Sequence, residues 1–219
     1  MDATSFFSSY PSKTAPERLA DGIVHAVGLV GLIVACGFLL HRVAIIGDAR
    51  LLASVAAYSA AVLFSICISF IYHLTPRHAW RATLRRWDHA AIYLVIAGTF
   101  SPLLVLTGTQ SAFVILSVIW VLALVGVWFK MFGTNLDSRW SLVSYLGLGW
   151  LALIALPDFS AELPFFTTVM IGAGGLFYTV GTLFYRNREL RFRYPIWHAF
   201  GTFGGGSFFA AIWAAVAAR

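Results

Sequence analysis

His25, His73, Asp88, His89 and His198 are the side chains of this 219-residue sequence best placed to do chemistry, because each stands in or at the edge of a long apolar run. An ionisable group at the centre of a bilayer costs roughly 2.5–3.5 kcal/mol, so such groups usually turn towards a bundle interior and towards one another. Spacing orients them further. Glu17, Asp21 and His25 recur at i, i+4 and i+8, and Ser65, Ser69 and His73 do the same. Residues four apart share one helix face, so each set forms a polar stripe. Neutral imidazoles with one carboxylate are the donors of an open, three-ligand Zn2+ site. For any single histidine, a hydrogen-bonding role at headgroup level is the simpler reading. Asp88, close after Arg85 and Arg86, serves equally well as an interfacial cap or ion-pair partner. His41 and His78 fall in charged loops and read as solvated. Ser69, His73, Asp88 and His198 taken together are harder to explain without a site.

The elements that must position these residues follow from composition. The chain is 60% hydrophobic and 11% charged, with a mean hydropathy of +0.83. Soluble domains run about 45–50% apolar and about 25% charged, so an ordinary soluble enzyme and a disordered chain are both excluded. Six stretches lack Asp, Glu, Lys and Arg: 22–40, 51–76, 89–129, 140–157, 163–185 and 194–218. A membrane helix needs about 20 residues. The third stretch is twice that and carries Gly108-Thr109-Gln110-Ser111 at its middle, which predicts two helices and a tight loop. The expectation is an all-α integral membrane protein: a polar segment over 1–19, then one seven-helix domain over 20–218. Its spans are placed near 20–41, 51–74, 88–107, 111–132, 140–157, 163–185 and 195–217.

Charge orients the bundle. With seven spans, Lys13, Arg18, Arg77, Arg81, Arg85, Arg86, Lys130, Arg139, Arg186, Arg188, Arg191 and Arg193 share one side, leaving Arg42, Arg50 and Arg219 on the other. The positive-inside bias places the N-terminus in the cytoplasm and the C-terminus outside. A net charge of +6 is therefore read as a topology and headgroup signal, with membrane lipids and not nucleic acid as the partner. A multi-pass protein of the cell membrane is expected, most naturally a bacterial inner membrane. That topology delivers His25, His73, Asp88, His89 and His198 to the cytoplasmic ends of four helices. Cys36 and Cys67 lie within apolar runs and imply no disulfide framework. Ile33-Val34-Ala35-Cys36 looks like a lipoprotein cleavage box, but cleavage there would destroy the first span. Trp80, Trp87, Trp140 and Trp197 read as interfacial anchors. Gly201 and Gly205, around the run Gly204-Gly205-Gly206, read first as a close-packing face and second as a hinge.

Three motifs resemble the hemolysin III-like branch of the progestin and adipoQ receptor family, a likeness running from Glu17 to about Ile212. The family's first motif is an acidic residue, an Asn and a His at four-residue steps; here these are Glu17, Asp21 and His25. The second is Ser-x3-His followed by Asp; here Ser69, His73 and Asp88, ahead of Ile96-Ala97-Gly98-Thr99-Phe100-Ser101-Pro102, which is also similar to the family's own stretch. The third is His-x3-His, here Tyr194-Pro195-Ile196-Trp197-His198. The resemblance implies a seven-helix bundle with a cytoplasmic N-terminus. It also implies a Zn2+ near the cytoplasmic face, bound by the His of the second motif and both of the third, with the Asp holding the reacting water and the Ser adjacent. Ceramidase-like hydrolysis of lipid amides is attributed to related receptors, and bacterial members are described as hemolysins or membrane-lipid regulators.

This chain departs from the pattern at three positions: Tyr194 takes the place of a His, Asp21 that of an Asn, and Phe208 that of a later His. Only His73 and His198 then remain as imidazole ligands. Asp88 would complete the set by direct coordination, giving up its water-orienting role, with His25 a less suited substitute. The expectation is thus Zn2+ on His73, His198 and Asp88, with Asp88 and Ser69 carrying the hydrolysis of a lipid amide. A non-enzymatic membrane-homeostasis or stress protein with a degenerate site stands as the alternative. A pore-forming hemolysin finds less support, since no charged ring lies in mid-membrane and no span is amphipathic enough to line an aqueous channel.

Overall fold

The computed structural model describes residues 11–12, 14–75, 78–134 and 139–219, without the side chains of His78 and Arg139. Most of the polar segment over 1–19, together with Lys13 and Arg77, lies outside the described residues. Among those described there are only helices and turns, and seven helical stretches are long and apolar enough to cross a membrane. Helices suit that setting because they satisfy every backbone polar group within the segment.

Local sequence sets where each helix starts and stops. Helix α1 (Ala15–Ile46) opens with a capping box: the Thr14 hydroxyl accepts from the Glu17 N–H, and the Glu17 carboxylate accepts from the Thr14 N–H. It closes on Gly47, whose φ of 77° favours a residue without Cβ. Asp48 then caps α2 (Ala49–Leu74) by accepting from the N–H groups of Arg50 and Leu51. Helix α3 (His78–Thr107) is joined to α4 (Gln110–Phe132) through Gly108, at φ 70°, and the cap Thr109. This is the tight loop that the apolar stretch 89–129 required.

The fifth span is built from α5 (Arg139–Leu151), a 3-10 turn (Ala152–Ala155) and α6 (Leu156–Glu162). Pro157 at the start of α6 has no N–H to offer an α-helical ladder, which accounts for the change of helix type just before it. Helices α7 (Phe165–Arg186) and α8 (Arg193–Ala217) complete the bundle.

Packing centres on α3, the most thoroughly buried span, which lies between α2 and α4. Lipid offers no hydrophobic drive for helices to associate, so close backbone approach matters more. At Gly98 a Cβ would stand 2.9 Å from the Cβ of Ala61, which shows how near α2 and α3 come. In α8 the close-packing glycine is Gly204, where a Cβ would fall 2.8 Å from the ring of Tyr178 on α7. Gly201 and Gly205 meet the same tyrosine only at 4.0 and 3.8 Å, and α8 runs through all four glycines without unwinding. The outward faces are apolar, including Val27, Val30, Val34 and Phe38 on α1 and Val121, Val125 and Trp128 on α4. Trp80 and Trp140 are exposed at helix ends, as expected of interfacial anchors.

Candidate metal centre

The two polar stripes meet because α1, α2 and α8 come together at the end of the bundle where α1 begins. Asp21 is the hub. Its carboxylate is fully buried and accepts from His73 Nδ1 at 2.9 Å and from His198 Nδ1 at 2.6 Å. The Ser12 hydroxyl, itself buried, donates to the same carboxylate at 3.2 Å. Ligand atoms of Asp21, His73 and His198 all lie within 4.8 Å of one another. The imidazole rings of His73 and His198 are 4.5 Å apart and nearly perpendicular, so both reach the carboxylate without stacking on each other.

A second layer lies beside this trio. His25 Nδ1 donates to the Asp21 carbonyl, four residues back in α1, at 2.8 Å. A neutral ring then has a lone pair at Nε2, which faces the Ser69 hydroxyl at 3.1 Å. Ser69 also interacts with the Asp88 carboxyl, so His25, Ser69 and Asp88 form a row from α1 through α2 to α3. The stripe spacing explains the arrangement: Asp21 and His25 share one face of α1, and Ser69 and His73 share one face of α2, each pair one turn apart.

The structure therefore brings together His25, Ser69, His73, Asp88 and His198, and adds two residues to them. Asp21 stands between the two imidazoles, while Asp88 lies outside that cluster and beside Ser69. Ser12, in the polar segment, had no signal in the sequence. Asp21 had one: it sits a turn before His25 on the polar stripe of α1. His89 is not part of the cluster; its carbonyl accepts from the Tyr145 hydroxyl at 2.9 Å. Tyr194 is inside α8, one turn before His198, and its ring lies 5.0 Å from that of His73. Phe208 packs edge-on to Phe100 at 5.7 Å. Glu17, the first member of the α1 stripe, accepts from the Phe192 N–H at 3.0 Å and so ties the start of α1 to the start of α8.

Two imidazoles and one buried carboxylate are a donor set that divalent transition metals accept, with room for further positions. A buried carboxylate also needs compensation, since an unpaired charge in a low-dielectric interior is strongly disfavoured. Hydrogen bonds from neutral imidazoles supply part of that compensation, and a divalent cation would supply more. The residues present thus fit a metal ion.

Comparison with known proteins covers almost the same residues. The sequence profile of the family described as haemolysin-III related matches residues 14–203. Over 201 residues the chain is 33% identical to the hemolysin-3 homolog of Bacillus subtilis (strain 168), covering 91% of this chain and 94% of that protein. It is 29% identical over 197 residues to hemolysin-3 of Bacillus cereus, covering 90% of each.

Proposed function

Given that the chain belongs to the haemolysin-III related family of integral membrane proteins, we propose that it is a zinc-dependent hydrolase of lipid amides whose site opens on the cytoplasmic side of a bacterial inner membrane. The observation that carries this reading is the convergence of His73 and His198 with a carboxylate within 4.8 Å in the buried end of the bundle. Zn2+ held there would polarise a substrate carbonyl and favour the ionised form of a reacting water.

The remaining work falls to the chain's own residues. Asp88, three turns into α3 and beside Ser69, would take the proton from the attacking water and return it to the departing amine. Ser69 stands between this carboxylate and His25, and rotation of its one hydroxyl proton towards a bound carbonyl would let it stabilise the developing oxyanion. An acyl chain enters sideways between helices, since leaving the bilayer would expose it to water.

Turnover of a fluorescent N-acyl lipid by the purified protein, measured together with its metal content, tests the proposal. Asp88→Asn is expected to cost about 10²–10⁴-fold in turnover and Ser69→Ala about 10²–10³-fold, both with the metal retained. A metal-free, inactive wild-type protein would defeat it. One observation favours the non-enzymatic alternative: Asp21, His73 and His198 already satisfy one another by hydrogen bonds. In that case the same substitutions change thermal stability and no turnover is found in any variant.

A further inference from the structure

The two departures that flank the site are related. We propose that Asp21 is the third metal ligand of this chain, so that a carboxylate on α1 does the work of an imidazole at position 194 on α8. The inference rests on the metal-site reading above and makes it specific. Position 194 lies one helical turn before His198 and faces the cluster, with its ring 5.0 Å from His73 and roughly parallel to His198 at 6.5 Å. A neutral phenol there is a poor donor for Zn2+, so the donor set on α8 is one short. Asp21 makes up the number from the other side. Both imidazoles already point Nδ1 at its carboxylate, which is buried completely. Asp88, the other carboxylate nearby, is outside this trio and is engaged by Ser69.

Two properties change with the exchange. A carboxylate carries a charge that an imidazole does not, so the buried ion and its ligands have a net charge one unit less positive. The three ligands also come from three helices, α1, α2 and α8, whereas ligands at 73, 194 and 198 would come from two. The metal then clamps the first span to the last.

The full-length protein in one detergent, titrated with Zn2+ against a chromophoric chelator, tests this, with melting temperature recorded with and without Zn2+. Wild type is expected to bind about one Zn2+ per chain and to melt higher when loaded. Asp21→Asn keeps the side chain's size and one acceptor oxygen, yet is expected to weaken binding beyond the roughly 10–100-fold that loss of an outer-shell partner costs, and to lose the Zn2+-dependent rise in melting. Asp21→Glu retains binding, and Asp88→Asn loses no more than the roughly 10–100-fold of an outer-shell change. The double variant Asp21→Asn/Tyr194→His is expected to recover affinity. Wild-type affinity in Asp21→Asn with loss in Asp88→Asn would assign the ligand to Asp88 and overturn the inference while leaving the metal-site reading intact. Failure of the double variant to recover affinity would overturn the exchange between positions 21 and 194. No binding by wild type would overturn the metal-site reading itself.

Discussion

Asp21 receives hydrogen bonds from histidines 52 and 177 residues away, which makes one carboxylate the meeting point of three helices. Its removal should therefore be felt in stability as well as in metal binding. In the metal-free protein, Asp21→Ala leaves the Nδ1–H groups of His73 and His198 without an acceptor, at about 1–3 kcal/mol for each unmet donor. Thermal unfolding in detergent should show a clearly lowered midpoint, and an unchanged one would mean that the carboxylate is not the hub. His73 and His198 were legible in the sequence as part of a set: either alone reads as a headgroup-level hydrogen bonder, but the expected topology gathers several ionisable residues at one end of the bundle. Asp21 was only partly so. It was visible as a member of a stripe, but nothing local reveals which carboxylate lies nearest to imidazoles on other helices. The expectation of Asp88 as a ligand came from the family motif, in which an Asp stands beside the metal; here Asp88 lies beside Ser69 and outside the trio of Asp21, His73 and His198. Ser12 had no periodic neighbour to mark it.

Among the elements, boundaries written into local chemistry could be read directly. The Gly108-Thr109 break divides one long apolar run into α3 and α4, because a left-handed residue and a cap hydroxyl end one helix and begin the next. The interruption before Pro157 followed the same kind of rule but lay within a continuous apolar stretch, so hydropathy alone did not show it. Helix contacts were harder to read. The GxxxG spacing at Gly201 and Gly205 suggested a packing face, whereas the close approach within α8 is at Gly204, and other helices make theirs at glycines outside any such spacing, Gly98 of α3 among them. Gly98→Val is expected to destabilise the bundle by about 1–3 kcal/mol through overpacking against Ala61, measured by unfolding in mixed micelles. Gly201→Ala, with its nearest neighbour at 4.0 Å, should be close to neutral.

At the scale of the whole molecule, the proposed cytoplasmic placement of the site rests on the asymmetric distribution of Lys and Arg. In a Cys36→Ala/Cys67→Ala background, Ala49→Cys at the exposed start of α2 should react with a membrane-impermeant thiol reagent on intact cells. Arg188→Cys, exposed between α7 and α8, should react only after permeabilisation. The reverse pattern would invert the topology. Not all of these charges remain simple surface charges in the folded bundle. The Arg86 guanidinium donates to the carbonyls of Lys130, Met131 and Gly133, each at 2.9 Å, and so completes the end of α4. Phe192 has a consequence of another kind. It is a non-glycine residue with φ 59° immediately before α8, a conformation disfavoured by roughly 1–3 kcal/mol, and its N–H is held by Glu17. The strained residue that opens the last helix is thus held by a carboxylate 175 residues upstream, on the first, so Glu17→Gln should weaken the entry to α8 as well as the cap of α1.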